Sequence, residues 1–250
     1  MISGHMIAQN LNKYHFPWKE AILSVLPICG EFIICEGYSE DDTYESLLKM
    51  QTEYPDKIKI FREKWDTPNY YILSEMTNLC IENCSGDWQW QVQADEVYHE
   101  KELPLIKKET EMKGIDFFRI SFYHFWSNSF DKILKSKAKA GDIRARLARK
   151  SCYPNIYSYG DAFSLFVRGR RGGKFLEGVH CYHYSYTRKP ELEKIKATDM
   201  LSKWWGGPDK RYNGDKPLVY KELHPDDDCL PFTGTHPAVM TNWINEHKER

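Results

Sequence analysis

The stretch Trp88-Gln-Trp-Gln-Val-Gln-Ala-Asp-Glu96 constrains this chain more than any other. Trp or Val alternates strictly with Gln over six residues, and the pattern stops at two adjacent carboxylates. A period of two is that of a β-strand, with Trp88, Trp90 and Val92 on one face and Gln89, Gln91 and Gln93 on the other. Asp95 and Glu96 then fall just past the strand's C-terminal end, the edge at which open α/β sheets bind ligands. Carboxylates placed there are hard oxygen ligands, suited to a divalent cation that also holds phosphate oxygens.

The segments before this strand alternate in kind. Met1–Ala8, Glu31–Glu36 and Lys57–Glu63 read as strands, the second a continuous apolar run of the sort buried on both faces. Pro17–Leu26, Thr43–Thr52 and Tyr70–Asn83 read as helices. Pro17 suits a first turn, Ser39 to Asp42 offer caps, and Ser85-Gly86 ends the third helix. A β-α-β-α-β-α-β order implies a parallel sheet with right-handed crossovers. The second half is less regular. Leu103–Lys113 reads as a helix and Asp116–Trp126 as an aromatic-rich strand. Phe163–Val167 and Lys174–Leu176 read as the arms of a hairpin around Arg168-Gly-Arg-Arg-Gly-Gly173. Val179–Tyr186 reads as a strand, Glu191–Trp205 as a helix broken at Gly206-Gly-Pro208, and Pro237–Ile244 as a last short helix.

With 250 residues the chain can form one large domain, or a domain with an extension. A net charge of −1 argues against a dedicated nucleic-acid binder. The basic runs Arg144–Lys150 and Arg168–Arg171 read either as a solvated helix face and a hairpin turn, or as a local site for a phosphorylated or acidic substrate. Seven scattered cysteines argue for buried thiols in a reducing compartment. His180 and His183 with Cys80 and Cys84 fit no standard zinc spacing. No apolar run reaches the ~18 residues of a membrane span, and no signal peptide precedes the first strand. The expectation is a soluble, cytoplasmic protein without a transmembrane segment, any membrane contact being peripheral and made through its substrate.

Glu36-Gly-Tyr-Ser-Glu-Asp-Asp-Thr43 resembles the Asp-x-x-Ser-x-Asp-x-Thr turn that follows the second strand of family-2 glycosyltransferases. Gln93-Ala-Asp-Glu96 resembles the segment carrying their DxD motif, and Gly86-Asp-Trp88 the Gly-Asp-Tyr/Trp before it. His183-Tyr-Ser-Tyr-Thr-Arg188 is similar to a His-Tyr-x-x-x-Arg stretch late in the domain of one branch. The order and spacing match over roughly residues 1–130. The resemblance implies a GT-A fold: α/β, Rossmann-like, with a mostly parallel central sheet flanked by helices. Residues 1–188 would form that domain, 1–100 on the nucleotide-sugar side and 101–188 on the acceptor side, with 189–250 as a helical or irregular extension packed on it. It further implies a UDP- or GDP-linked sugar donor, Mn²⁺ or Mg²⁺, and inverting transfer to a glycan or lipid-linked acceptor.

The same resemblance assigns roles. Glu36, Ser39 and Asp41 would hold the nucleoside, although each could equally shape a helix cap. Asn78 falls where the family places an Asn on the helix before the DxD strand; it either touches nucleotide or packs that helix. Asp95 is the expected metal ligand. His183 would be the second, an imidazole favouring Mn²⁺ over Mg²⁺, or else a hydrogen-bonded histidine in a tyrosine-rich strand. Asp161, in Tyr159-Gly-Asp-Ala-Phe163, is the expected general base, or a plain surface-turn aspartate. Glu96 is the alternative base, or a group orienting Asp95. His99 and Glu100 would line the acceptor side, and Trp204 and Trp205 would lie near an acceptor. Two residues depart from the family pattern: Glu36 replaces an Asp, and Gln93 replaces the first Asp of the DxD, removing one oxygen anion. Two other function classes share these residues. A sugar-1-phosphate nucleotidyltransferase would need a glycine-rich loop that Ala8–Tyr14 lacks. A non-catalytic nucleotide- or glycan-binding module is favoured by Gln93 alone.

Overall fold

Period-two and period-3.6 patterns in the first half of the chain become the elements they suggest. The computed structural model describes residues 1–126, 129–134, 142–200 and 229–248. Strands β1 (Ile2–Ala8), β2 (Glu31–Glu36), β3 (Ile58–Arg62) and β4 (Trp88–Gln91) are joined through α1 (Trp18–Val25), α2 (Thr43–Glu53) and α3 (Ile72–Asn83). The four strands pair in parallel in the order β3-β2-β1-β4. Every residue of β2 is buried, as its unbroken apolar run requires. Gly4 allows this close packing: a Cβ there would enter the Phe32 ring of the neighbouring strand.

Beyond β4 the sheet changes character. It continues as β8 (Ile143–Arg149), β6 (Phe117–His124), β11 (Gly173–His183) and β5 (Glu96–Tyr98), making eight strands in all. Strand β8 runs antiparallel to β4 and β6, β11 parallel to β6, and β5 antiparallel to β11. Helix α4 (Leu103–Thr110) lies between β5 and β6 in sequence. Two small ribbons pair β7 (Lys132–Leu134) with β12 (Cys229–Pro231), and β9 (Ile156–Ser158) with β10 (Leu165–Val167). Helices α5 (Pro190–Ile195) and α6 (Thr241–His247) complete the described chain. One apolar cluster runs from Trp18 and Ile22 through Phe32, Trp90 and Phe118 to Trp243, so both halves share a core.

Three sequence expectations are corrected here. The basic run 144–150 is no solvated helix face: Arg144 to Arg149 belong to β8, in the middle of the sheet. The hairpin around Arg168–Gly173 does not form, because β10 pairs with β9 while β11 pairs with β6. Asp116 N–H and Phe117 N–H both donate to Gly172 O, which fastens the start of β11 to the start of β6. Turn residues mark where the chain bends but not which partner it then meets. The two strands read at 174–176 and 179–186 are one strand with a register shift between Phe175 and His180, where Gly178 has φ +81°. The helix from Glu191 is observed as α5 followed by a π-helical turn at Lys196–Met200. Trp204, Trp205 and the glycines after them lie outside the described residues.

Candidate active site

A cavity of about 470 Å³ opens beyond the C-terminal ends of β1 and β4, where the alternating Trp/Gln strand stops. Gln9, Thr77, Asp95, Asp161, His183 and Lys196 are among its walls. Its size and position are those of a small-molecule site in an α/β sheet.

Strand β4 ends at Gln91, and the chain turns through Gln93–Asp95 before β5, with Glu96 N–H donating to Gln93 O. Asp95 therefore sits in a turn rather than on a strand. Tyr184 N–H donates to Asp95 O at 2.9 Å, and His183 opposes Glu96 across the β5–β11 pair. These backbone bonds bring Asp95 and His183 together: Nε2 of His183 is 3.8 Å from Oδ2 of Asp95. Both side chains are nearly buried and both face the cavity.

Behind His183 stands a chain of polar groups. His183 Nδ1 is 2.9 Å from His124 Nδ1, and His124 Nε2 is 2.8 Å from Asp142 Oδ2. Arg144 grips Asp142 through Nε at 3.0 Å and Nη2 at 2.6 Å. Burial alone would raise the Asp142 carboxyl, but His124 and Arg144 outweigh it and hold it well below the ordinary value. Burial, reinforced by the charges of His124, Arg144, Lys196 and Arg146, pushes His183 well below the usual histidine range, so the ring is neutral. The two Nδ1 atoms face each other across one hydrogen bond, and Nε2 is the ring nitrogen of His183 turned toward Asp95.

The Asp95 carboxylate oxygen and the His183 Nε2 atom, 3.8 Å apart on a cavity wall, are the donor types that could hold a divalent cation. Among the described residues no three His, Cys, Asp or Glu side chains gather as a metal cage. A cation bound between Asp95 and His183 would leave its other positions to substrate oxygens and water.

Asp161 faces the same cavity from the loop between β9 and β10. Gly160 and Ala162 on either side both have left-handed backbone, φ +62° and φ +60°. Glycine accepts that conformation readily and alanine does not, so the Ala162 geometry is held by its surroundings. Phe163 N–H donates to Asp161 Oδ1 at 3.3 Å.

Glu96 is elsewhere. Its carboxylate is fully buried and clasped by the equally buried Arg146, with Nη2–Oε1 at 2.5 Å and Nε–Oε2 at 2.9 Å. It is outside the cavity wall, which corrects the expectation of Glu96 as an alternative base: both oxygens already serve a guanidinium and cannot accept a substrate proton. Asn78 is also corrected. Its amide donates to Ser158 O at 3.0 Å and accepts from Ser158 N–H at 2.8 Å, so it packs α3 against β9 instead of meeting the cavity.

Glu36, Ser39 and Asp41 shape a loop. Glu36 accepts from Tyr38 N–H and Ser39 N–H and pairs with Arg62 Nε at 2.6 Å. Ser39 Oγ accepts from Asn10 N–H, and Asp41 accepts from Lys13 N–H and Thr43 N–H. The loops after β1 and β2 are thereby laced together beside the cavity residues Gln9 and Leu11. His99 and Glu100 tie down the C-terminal segment, through Thr235 Oγ1 and Ala238 N–H.

Sequence reading missed three residues of this centre: His124, Asp142 and Lys196. Arg144 and Arg146 belong to the basic run read as a helix face or as a site for a phosphorylated or acidic substrate, and the period-two alternation of Arg144-Ala-Arg-Leu is the signal that it is a strand. Lys196 lines the cavity and donates to Ser185 Oγ at 2.7 Å; nothing near it in sequence announces this. Arg188 is wholly buried, donating to His15 O and pairing with Glu193 at 3.3 Å.

No family model and no curated protein sequence matches the chain. Among solved structures, residues 1–349 of S. aureus TarS share 13% identity with it at a TM-score of 0.52, over 81% of this chain and 66% of that one. The same fragment in complex with UDP gives 12% identity and a TM-score of 0.50, over 81% and 66%. The mannosyltransferase PcManGT from Pyrobaculum calidifontis, in complex with GDP-Man and Mn²⁺, gives 10% identity and a TM-score of 0.52, over 98% of this chain and 68% of that one. The chain spans just under two thirds of the TarS fragment. At such identities the likeness establishes architecture alone: this is an α/β fold of GT-A type, a large mixed sheet flanked by helices.

Proposed function

We propose that this chain is a glycosyltransferase that takes a sugar from a UDP- or GDP-linked donor and passes it, with inversion, to a hydroxyl of a glycan or lipid-linked acceptor. The observation that carries this reading is the pairing of Asp95 with the neutral His183 in one cavity that Asp161 also lines. The similarity in fold to proteins solved with UDP, and with GDP-Man and Mn²⁺, supports it.

The chemistry follows from the groups present. Asp161 accepts the proton of the acceptor hydroxyl, whose oxygen then forms a bond to the anomeric carbon. The bond from that carbon to the diphosphate breaks, and its electron pair leaves on the phosphate oxygen. Asp95 and His183 would hold Mn²⁺ or Mg²⁺, which would supply Lewis-acid stabilisation of that charge. Lys196 and Arg144 add fixed positive charge to the same walls. Glu36, Ser39 and Asp41 do not line the cavity; they brace the loop from which Gln9 and Leu11 reach it, and any hold on the nucleoside would be through that loop.

Thermal denaturation with UDP, GDP, CMP and dTDP, each with and without Mn²⁺, tests the reading. Occupancy at 100 times Kd stabilises by about 2.7 kcal/mol, a readable shift. One nucleotide is expected to stabilise only with the cation, and Asp95→Asn is expected to abolish the effect. No shift with any nucleotide would count against the assignment. Asp161→Asn is expected to lower turnover by roughly 10²–10⁴-fold with nucleotide binding intact; unchanged turnover would remove Asp161 from its role.

A further inference from the structure

The residue that departs most from the family pattern, Gln93, has a distinct set of partners. Its Nε2 donates to Ala162 O at 3.0 Å, and Gln91 Nε2 donates to the same carbonyl at 2.7 Å. Two carboxamides from one strand end thus converge on a single backbone oxygen, in the residue that follows Asp161. A side-chain amide can be turned either way, so something must orient both. Arg146 does so: Nη1 lies 3.5 Å from Gln91 Oε1, and Nη2 lies 3.5 Å from Gln93 Oε1. A guanidinium only donates, so both oxygens face it and both NH₂ groups face Ala162 O. Arg146 is in turn locked by the buried carboxylate of Glu96. Glu96 Oε2 also accepts from Gln93 N–H at 3.2 Å, closing the circuit.

We propose that Gln91 and Gln93 are positioning residues for Asp161, a latch that holds the Asp161 loop to the end of β4 and the turn carrying Asp95 through the Ala162 carbonyl. This rests on the function proposed above. Ala162 is fully buried with φ +60°, a conformation alanine keeps only when it is held. The two donors supply that hold, and Asp161 faces the cavity as a consequence. The latch also accounts for Gln at position 93. An aspartate there could ligate a cation, but it could not donate to a carbonyl and would set a second anion beside Glu96. Here the position serves the base, and cation binding is left to Asp95 and His183.

The test uses Gln91→Met and Gln93→Met, singly and together, with Gln93→Glu as a near-isosteric variant that keeps its face toward Arg146. Circular dichroism and melting establish that each is folded. Three readouts follow: Kd for UDP and for GDP with Mn²⁺, hydrolytic nucleotide release from UDP-glucose, UDP-N-acetylglucosamine and GDP-mannose, and amide exchange at residues 159–163. Displacing a catalytic group by about 1 Å costs up to 10²-fold, so the double variant is expected to lose 10–100-fold in turnover. Nucleotide Kd should stay within about twofold, and the Phe163 amide should exchange faster. Gln93→Asp, which restores the family's motif, should also turn over more slowly than wild type.

Wild-type turnover in the double variant, or unchanged exchange at Phe163, overturns the latch and leaves the proposed function standing. An equal loss of nucleotide affinity and turnover also overturns it, since the glutamines would then act on donor binding. Failure of wild type to bind nucleotide or release it from any donor refutes the proposed function itself, and the latch with it.

Discussion

The two ends of the sheet each bury a glutamate, and they do so for different purposes. Glu31 opens β2 at the N-terminal edge of the parallel half, far along the strands from the cavity. Its carboxylate gathers Ser3 Oγ at 2.6 Å, Lys59 Nζ at 2.6 Å, and Ser85 through both N–H and Oγ. Those partners fasten neighbouring chain segments to one another. Glu96 lies in the antiparallel half with Arg146 as its counter-charge, and that pair reaches on to Gln91, Gln93 and the Asp161 loop. The first carboxylate closes a scaffold; the second is the root of a network that ends at the cavity wall. Buried charge is costly to desolvate, so a fold that keeps it is organised around its counter-charge.

That contrast can be broken most directly at Arg146. Arg146→Met leaves Glu96 buried without a partner and is expected to destabilise the protein by about 3–5 kcal/mol in chemical denaturation. Adding Glu96→Gln should recover much of the loss, because the uncompensated charge is then gone. A single-variant cost below 1 kcal/mol would mean that the antiparallel half is not built on this pair.

The parallel half has its own test in His5, whose Nε2 meets Gln89 Oε1 at 2.6 Å. Burial is the main cause that pushes His5 down to about 4 from the ordinary 6.5. Above pH 6.5 both folded and unfolded chains leave the ring neutral, and stability is flat. Between 6.5 and about 4 the unfolded chain takes up a proton that the fold refuses, so stability falls as the pH falls, by up to roughly 3 kcal/mol. Denaturation midpoints at pH 7.5, 5.5 and 4.5 measure the slope, and His5→Gln should flatten it.

A smaller effect is expected at Glu31. Burial would raise its carboxyl, yet Lys59, Ser3 and Ser85 together bring it down to about 2 from 4.5. Its contribution is complete above pH 4.5 and is lost as the pH falls toward 2. Lys59 is 60% exposed, so solvent screens the ion pair, and Glu31→Gln should cost only about 1–2 kcal/mol at neutral pH. A loss as large as that of Arg146→Met would erase the distinction between the two glutamates. Least of all should come from Ser39→Ala, which removes one loop bond to Asn10 N–H and should cost about 0.5–1.5 kcal/mol by thermal melting.

Local pattern sufficed for the parallel half. Strand β2 matches its sequence reading residue for residue, and α3 and β4 begin or end within two residues of theirs. Each element there is marked by its own side-chain period and its end residues, so local pattern identifies it even where its partner is distant, as for β4 beside β1. Asp95, His183 and Asp161, all singled out from strand ends and turns, do line one cavity. Asn78 and Glu96 misled for one shared reason: an amide or carboxylate near a motif looks the same whether its partner is a ligand or a distant stretch of backbone. Partners 80 and 50 positions away decided both.

What the sequence determined by itself was the alternation of strands and helices through residue 91, and the placing of a carboxylate beyond the fourth strand. Such features depend on contacts within a turn or a strand, where side-chain period maps directly onto burial. The tertiary structure alone decided that β8 inserts antiparallel beside β4, that β11 answers β6, that His124 links His183 to Asp142, and that Arg146 meets Gln91. A buried charge has no preferred neighbour in sequence. Its partner is whichever opposite charge the sheet register brings within hydrogen-bond reach, and register between distant strands is set by the packing of the whole core.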